Sequence, residues 1–265
     1  MSGLEINFWL FVAVCAATWL VSVITKEYSW VDRIWSIIPV VYMWIFAFEA
    51  DFADQRVNLM AVLVTLWGAR LTFNFARKGG YAPGGEDYRW AILRKKMSPF
   101  LYQVFNIFFI VIFQNALLLA ITLPANLALG AEKDFLASGF DYEVIFPVLF
   151  FGLLVMEFVA DQQQWNFHQL KKQGKASKGF LDTGLFASSR HPNFFAEQAQ
   201  WWVLAFWGFV VAGFSHPEYF VGVVVLTALF LGSARFTEQI SLGKYPEYKE
   251  YQNRVSMMIP WFPKR

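Results

Sequence analysis

The sequence has little cysteine and little charge. Cys15 is the only cysteine among 265 residues, so an internal disulfide framework and a zinc site built on cysteines are both excluded. Charged residues make up 16% of the chain and the formal net charge is +2. That charge is too small for a typical nucleic-acid-binding protein, and a disordered chain would need more charge and less apolar surface. We therefore expect no nucleic-acid partner, and we assign no metal ligands.

Apolar residues are abundant instead. They make up 57% of the chain, against about 45–50% in an average soluble protein, and the chain contains 30 Phe and 12 Trp. A helix needs about 20 apolar residues to cross a bilayer. Seven stretches of the sequence meet or approach that length, at about 6–25, 34–50, 57–76, 99–123, 144–165, 193–214 and 219–236. The composition predicts an all-α fold, a seven-helix transmembrane bundle that forms one domain over 1–265, with 237–265 as a cytoplasmic or interfacial tail.

Basic and acidic loops alternate along the chain. Segments 77–97 and 167–190 and the tail are rich in Lys and Arg, whereas segments 51–56 and 131–143 carry mostly Asp and Glu. The positive-inside rule then places the N-terminus outside and the C-terminus in the cytoplasm. The pattern fits a bacterial inner membrane, the endoplasmic reticulum or a mitochondrial membrane equally well, with membrane lipids as partners.

Polar and ionisable side chains occur near the predicted cytoplasmic ends of the spans. Such groups are costly in lipid, so each is a functional-site hypothesis. The set comprises Asp32, Arg33, Arg70, Asn74, Arg77, Glu157, Asp161, Arg190, His191, Asn193, Glu197, Arg235 and Glu238. Arginine binds phosphate through two hydrogen bonds, and an aromatic, apolar interior suits a lipid. The pattern predicts a pocket where a soluble phosphate-bearing cofactor meets a membrane-dissolved substrate. The alternative is a set of ion pairs that join helix ends.

The start of the sixth predicted span carries the densest group. Pro192 is typical of a first helical turn, and free backbone N–H groups at a helix start attract phosphate. Arg190 and His191 add donors there. Asn193 and Glu197 are four residues apart and share a helix face. The amide can hydrogen-bond another amide, and the carboxylate can accept from a ribose hydroxyl or hold an arginine.

These residues carry a family resemblance. The run from Leu185-Phe186 through Arg190-His191-Pro192-Asn193-Phe194-Phe195 to Glu197 resembles the signature of the steroid 5-alpha-reductase superfamily, and the chain is similar to the DUF1295 branch of integral membrane proteins. Further matches are Asp32 with Trp35, Leu66-Trp67-Gly68-Ala69-Arg70-Leu71, Glu86-Asp87-Tyr88-Arg89-Trp90, Ala160-Asp161, Tyr245-Pro246-Glu247-Tyr248 and Ile259-Pro260-Trp261.

The resemblance implies seven helices, an outside N-terminus, and NADPH bound from the cytoplasm. Carried over by position, the cofactor-binding residues are Arg70, Asp161, Asn193, Glu197 and Arg235. We predict that four further residues complete the cofactor site: Asn74, Arg89, Arg190 and His191. In these reductases a hydride moves to the beta carbon of an enone whose oxygen is held by hydrogen bonds. The predicted function is thus reduction of a lipid or steroid-like enone.

The sequence departs from the reductases at the catalytic position. Their tyrosine, three residues before the matching Arg70, is replaced here by Trp67, and Ala196 replaces the usual glycine before Glu197. Another group must then supply the proton, and we predict Tyr88 or Asp32.

Two other interpretations stay open. Methyltransferases of the isoprenylcysteine type also carry an Arg-His-Pro element before a helix and a later acid, and they bind S-adenosylmethionine. The Trp67 departure would equally suit a non-catalytic membrane subunit or lipid-binding scaffold, which would need no cofactor and would have other membrane subunits as partners.

Overall fold

The structure, a computed structural model, describes residues 1–129 and 142–264, without the side chains of Tyr88 and Tyr142. Most of the acidic segment 131–143 therefore lies outside the described residues. The described ranges are helical and contain no strand, apart from an isolated bridge between Ser189 and Ser256. Their α-helices are α1 (Gly3–Thr25), α2 (Trp30–Ile34), α3 (Ile38–Glu49), α4 (Gln55–Arg77), α5 (Tyr88–Lys95), α6 (Pro99–Phe105), α7 (Gln114–Ala120), α8 (Leu123–Ala128), α9 (Ile145–Lys172), α10 (Pro192–Val211), α11 (Val221–Lys244) and α12 (Tyr248–Arg254).

Shorter elements connect some of these helices. A π-helix at Asn106–Phe113 joins α6 to α7, and 3₁₀ turns occupy Tyr142–Val144, Gly184–Ala187 and Pro217–Phe220.

Within residues 1–129 and 142–264, five segments are long and apolar enough to cross a membrane, so the protein is a multi-pass integral membrane protein. They are Gly3–Thr25, Gln55–Arg77, Pro99–Ala128, Ile145–Lys172 and Pro217–Lys244. Helix α3 has only 12 residues, which rise about 18 Å against a hydrocarbon core of about 30 Å. Helix α10 has 20 residues, but its polar residues lower its hydropathy. The helical, multi-pass prediction is confirmed, and the count of seven stays a prediction.

Local sequence signals explain where several helices begin. Ser2 and Glu5 form a reciprocal capping box at the start of α1, which satisfies backbone donors that would otherwise lack partners. Asp54 caps α4 by accepting from the backbone N–H groups of Arg56 and Val57. Ser98 caps α6 in the same way, directly before Pro99.

The described helices group into two compact units. The first contains Met1–Pro147 and Leu204–Gly222, and the second contains Val148–Val203 and Val223–Arg265. The boundaries fall inside α9 and α10 and at the start of α11. The prediction of one domain over 1–265 stays a prediction.

A close helix contact organises the first unit. Helix α4 approaches the start of α3 so tightly at Gly68 that an added Cβ would lie 2.4 Å from the carbonyl oxygen of Ser36, in the turn before α3, and 2.7 Å from Val40 Cγ2 on α3. The neighbouring Trp67 is fully buried. Glycine is therefore required at this position by helix packing.

The first unit also contains a buried ion pair. Arg56 Nε and Nη2 lie 2.6 and 3.0 Å from the two carboxylate oxygens of Glu143. The Trp207 indole N–H donates to the same carboxylate at 3.1 Å. Both charged side chains are almost completely buried, so the pairing offsets a desolvation cost that neither charge could bear alone.

Candidate functional site

A buried face of carboxylates and amides lies between α9 and α10 in the second unit. Glu157 and Asp161 are one turn apart on α9, and both are buried. Gln200 Nε2 donates to Glu157 at 2.7 Å. Asn193 Nδ2 lies 3.4 Å from Asp161 Oδ1, which is at the long limit for a hydrogen bond. The earlier residue on α9, Glu157, contacts the later residue on α10, Gln200, and the reverse holds for Asp161 and Asn193, so the two helices run antiparallel here.

Glu197 completes this face. It lies one turn after Asn193 on α10 and is 7% exposed. The face thus brings three buried carboxylates and two amides onto two helices of a membrane protein. Carboxylates and amide oxygens accept hydrogen bonds, whereas amide N–H groups donate them. The arrangement suits a ligand with hydroxyl, amide or ammonium groups better than one with a bare phosphate.

The N-terminus of α10 is held by Glu238 of α11. Its carboxylate accepts from Arg190 Nε at 2.6 Å and from Gln252 Nε2 at 2.7 Å. His191 Nε2 lies 3.0 Å from it, and the imidazole stacks on the Phe194 ring with 5.4 Å between centroids. Arg190 and His191 are therefore both engaged by groups of their own unit in this structure.

Arg190 also makes hydrogen bonds to the chain after α11. Its Nη1 donates to the Gln252 carbonyl at 2.9 Å and to the Val255 carbonyl. The bond between Tyr251 Oη and the Phe186 carbonyl, at 2.6 Å, strengthens the same junction. Arg190 thus links the residues before α10 to the end of the chain.

The first unit holds the predicted proton donor Asp32. Its side chain is partly buried and accepts a hydrogen bond of 2.7 Å from the Trp90 indole N–H. Burial raises the pKa of the Asp32 carboxyl to about 6, although the hydrogen bond from Trp90 acts to lower it. Asp32 is therefore a carboxyl group that keeps its proton to a much higher pH than an ordinary aspartic acid does.

Arg89 and Tyr88 stand at the start of α5, close to Trp90 in sequence. Asp87 caps this helix, and its carboxylate accepts from Arg89 Nε at 2.9 Å and Nη2 at 2.8 Å. Tyr88 is the first residue of α5, and its side chain lies outside the described part of the chain. The predicted cofactor residue Arg89 is thus paired with a carboxylate in this structure.

The last turns of α4 carry Arg70, Asn74 and Arg77 on one face, as their spacing predicts. Asn74 is buried and accepts a hydrogen bond of 2.9 Å from Arg77 Nε. Arg70 is partly buried. In the second unit, the predicted cofactor residue Arg235 is exposed.

Sequence reasoning did not anticipate the contacts that Gln200, Trp90 and Gln252 make with Glu157, Asp32 and Glu238. Gln200 lies seven residues after Asn193, so the helical period alone could have added it to the α10 face. Trp90 contacts Asp32, which is 58 residues away in the sequence. Gln252 contacts Glu238, which is 14 residues away. No local sequence signal points to either contact.

Comparison with known proteins gives a family but no activity. A family model described as "Protein of unknown function (DUF1295)" matches residues 18–255. The chain is similar to the "Uncharacterized protein C594.04c" of Schizosaccharomyces pombe, with 37% identity over 260 residues that cover 91% of this chain and 75% of the relative. No solved structure gives a significant match.

Proposed function

The chain belongs to the DUF1295 family, and from this premise we propose that it is an NADPH-dependent membrane reductase of a lipid or steroid-like enone. The observation that carries the proposal is the buried face formed by Glu157, Asp161, Asn193, Glu197 and Gln200. Carboxylates buried in a membrane protein are costly and mark functional sites. The resemblance to the steroid 5-alpha-reductases supplies the reaction.

The chemistry of this face fits the nucleoside parts of the cofactor. Asp161 and Glu197 offer acceptors for ribose hydroxyls, and Asn193 offers both a donor and an acceptor for the carboxamide. Arg190 and His191 are already engaged by Glu238, so we assign them a positioning role at the start of α10. Arg70, Asn74, Arg89 and Arg235 remain candidate cofactor-binding residues, each testable by its own substitution.

The reaction needs a proton as well as a hydride. NADPH, when bound, supplies the hydride that adds to the beta carbon of the enone. We propose that Asp32 donates the proton that completes the saturation, because burial lets its carboxyl hold a proton up to about pH 6. Tyr88 is the second candidate for this role. Trp67, which stands where the reductases have a tyrosine, is fully buried, and an indole N–H is a far weaker acid than a phenol.

The proposed topology adds α3 and α10 to the five apolar segments as crossing helices. Helix α10 rises about 30 Å over its 20 residues, which matches the hydrocarbon thickness. Seven crossings place the termini on opposite sides, and the basic loops then favour an outside N-terminus and a cytoplasmic C-terminus.

A second candidate is an S-adenosylmethionine-dependent methyltransferase of the isoprenylcysteine type. The excess of carboxylates on the α9–α10 face favours it, since S-adenosylmethionine carries a sulfonium and an ammonium group and no phosphate. A third candidate, a non-catalytic membrane subunit or lipid-binding scaffold, is favoured by the buried Trp67.

Thermal unfolding of the detergent-solubilised protein separates these candidates. NADPH, NADH and S-adenosylmethionine are titrated against the native chain and against Asn193→Ala, Asp161→Asn and Arg70→Ala. A ligand at a hundred times its Kd adds about 2.7 kcal/mol of stability. Stabilisation by NADPH that Asn193→Ala abolishes supports the reductase.

The matched control is Lys249→Gln, an exposed change on α12 of the same unit, which must keep the full NADPH response. A response to S-adenosylmethionine alone would favour the methyltransferase. No response to any of the three ligands would overturn both enzymatic proposals and favour the scaffold.

A further inference from the structure

The end of the chain presents three apolar side chains to the outside. Ile259, Trp261 and Phe262 are 63%, 69% and 86% exposed. The same stretch buries Val255 and Met258, so its exposed residues are not simply the result of a loose terminus. The segment is folded, since it buries Val255 and Met258, and yet the side chains of Ile259, Trp261 and Phe262 remain exposed.

The backbone of this stretch is fixed by hydrogen bonds. The Trp261 N–H donates to the Ser188 carbonyl at 2.9 Å, and the Lys264 N–H donates to the Arg254 carbonyl at 2.9 Å. Three more bonds join the residues before α10 to the stretch: Arg190 N to Ser256 O at 2.8 Å, His191 N to Met257 O at 3.1 Å and Ser189 Oγ to Met258 O at 2.6 Å. The backbone that carries the exposed side chains is therefore fixed against the residues before α10.

Contacts within the second unit indicate how deep this stretch lies relative to the bilayer. The candidate spans Ile145–Lys172 and Pro217–Lys244 end next to each other, because Lys171 Nζ donates to Tyr245 Oη at 2.7 Å and to the Gly179 carbonyl at 2.6 Å. Helix α12 begins four residues after Lys244. The stretch after α12 therefore belongs to the boundary where two spans leave the bilayer.

From these observations we propose that Ile259, Trp261 and Phe262 form an interfacial anchor that inserts into the lipid headgroup layer on the side where α9 and α11 end. Trp is enriched in this layer, and interfacial segments bury Trp, Phe and Leu side chains at the boundary of headgroups and acyl chains. A lysine next to an apolar group keeps its charge in water while its stem follows the lipid. Lys264 stands two residues after Phe262 in this arrangement. The anchor does not depend on the proposed reductase activity.

The single cysteine of the chain makes the test direct. Cys15→Ala gives a cysteine-free protein, into which Phe262→Cys and Ile259→Cys are introduced one at a time and labelled with an environment-sensitive fluorophore. Asn253→Cys, an exposed polar position on α12, is the water control, and Leu20→Cys, exposed on the candidate span α1, is the lipid control. The proteins are reconstituted into phosphatidylcholine vesicles.

Two quenchers report the environment of each label. We expect labels at 262 and 259 to be quenched by a lipid that carries a nitroxide near its headgroup, and to be quenched by aqueous iodide several-fold less than the label at 253. Iodide quenching equal to that at 253 would overturn the anchor. Protection from both quenchers would also overturn it, because a protein partner would then cover the three side chains. The Ile259→Cys variant keeps the test valid if Phe262→Cys fails to fold.

Discussion

Arg190 and Glu238 stand 48 residues apart in the chain and form a buried two-point ion pair. The Nε–Oε1 and Nη2–Oε2 distances are 2.6 and 3.1 Å, and the side chains are 9% and 6% exposed. Since a planar guanidinium matches a carboxylate in this geometry, the pair fixes the end of α11 against the residues before α10. The helix that carries Asn193 and Glu197 is thus oriented by a contact outside the proposed ligand-binding face.

Glu238→Gln should therefore destabilise the protein. The change leaves the Arg190 charge buried without its counter-charge, which typically costs about 3–5 kcal/mol. Thermal unfolding in detergent measures the loss. Glu250→Gln, an exposed change on α12, is the control and should unfold within error of the native chain. Equal stability of the two variants would show that the pair does not hold the start of α10.

Arg56 and Glu143 allow a test of whether breaking a buried ion pair costs more stability than removing both of its charges. Arg56→Met alone should cost about 3–5 kcal/mol, because it removes the guanidinium that pairs with a buried carboxylate. The double variant Arg56→Met with Glu143→Gln removes both charges and keeps an acceptor for the Trp207 indole. It should recover most of the loss in the same unfolding measurement.

The opposite order, with the double variant no more stable than Arg56→Met, would contradict this explanation. Arg94→Met, whose side chain is 44% exposed in the same unit, gives the baseline for removing an arginine at the surface, where ion pairs contribute little.

Much of the helical structure could be predicted because the bilayer imposes one requirement, a long apolar run. The third predicted span, 57–76, agrees with Gln55–Arg77 to within two residues. The sequence predicts that the fifth span ends at 165, yet α9 continues to Lys172, because a helix does not stop where its apolar composition ends. The residues before α3 form the separate short helix α2, a break that composition alone does not predict.

The part of the candidate site that could be predicted is the part that depends on helical spacing within one helix. Asn193 and Glu197, and Glu157 and Asp161, share helix faces because their spacing follows the helical period. That these two faces meet, and that Glu238 holds Arg190, depends on packing between helices distant in sequence. The hydrogen bond from the Trp90 indole to Asp32 likewise joins residues that are distant in sequence.

The tight contact at Gly68 predicts a strong effect of one methyl group. Gly68→Ala places a Cβ 2.4 Å from the Ser36 carbonyl oxygen, so α3 and α4 must separate, and overpacking of this kind costs about 1–3 kcal/mol. Gly232→Ala is the matched control, because it is also in a helix but has nothing within 4 Å of its added Cβ. It should be neutral or slightly stabilising. Similar unfolding temperatures for both variants would refute the close approach.

Asp32 predicts a pH dependence of stability. Burial raises the pKa of its carboxyl from the ordinary value of 3.8 to about 6 in the folded protein, so the folded state binds the proton more tightly than the unfolded chain does. The stability that Asp32 contributes is then fully present below about pH 4 and is lost as the pH rises through about 6. Relative to Asp32→Asn, the native chain should lose stability across this window.

Unfolding of both proteins in detergent over this pH range measures the difference. A difference that stays constant with pH would contradict the raised pKa. Trp90→Phe is the second test, because it removes the indole donor that lowers the pKa of Asp32. The pKa should then rise further, and the loss of stability should move to higher pH. A window that stays in place would mean that the 2.7 Å hydrogen bond from Trp90 does not favour the carboxylate over the protonated acid.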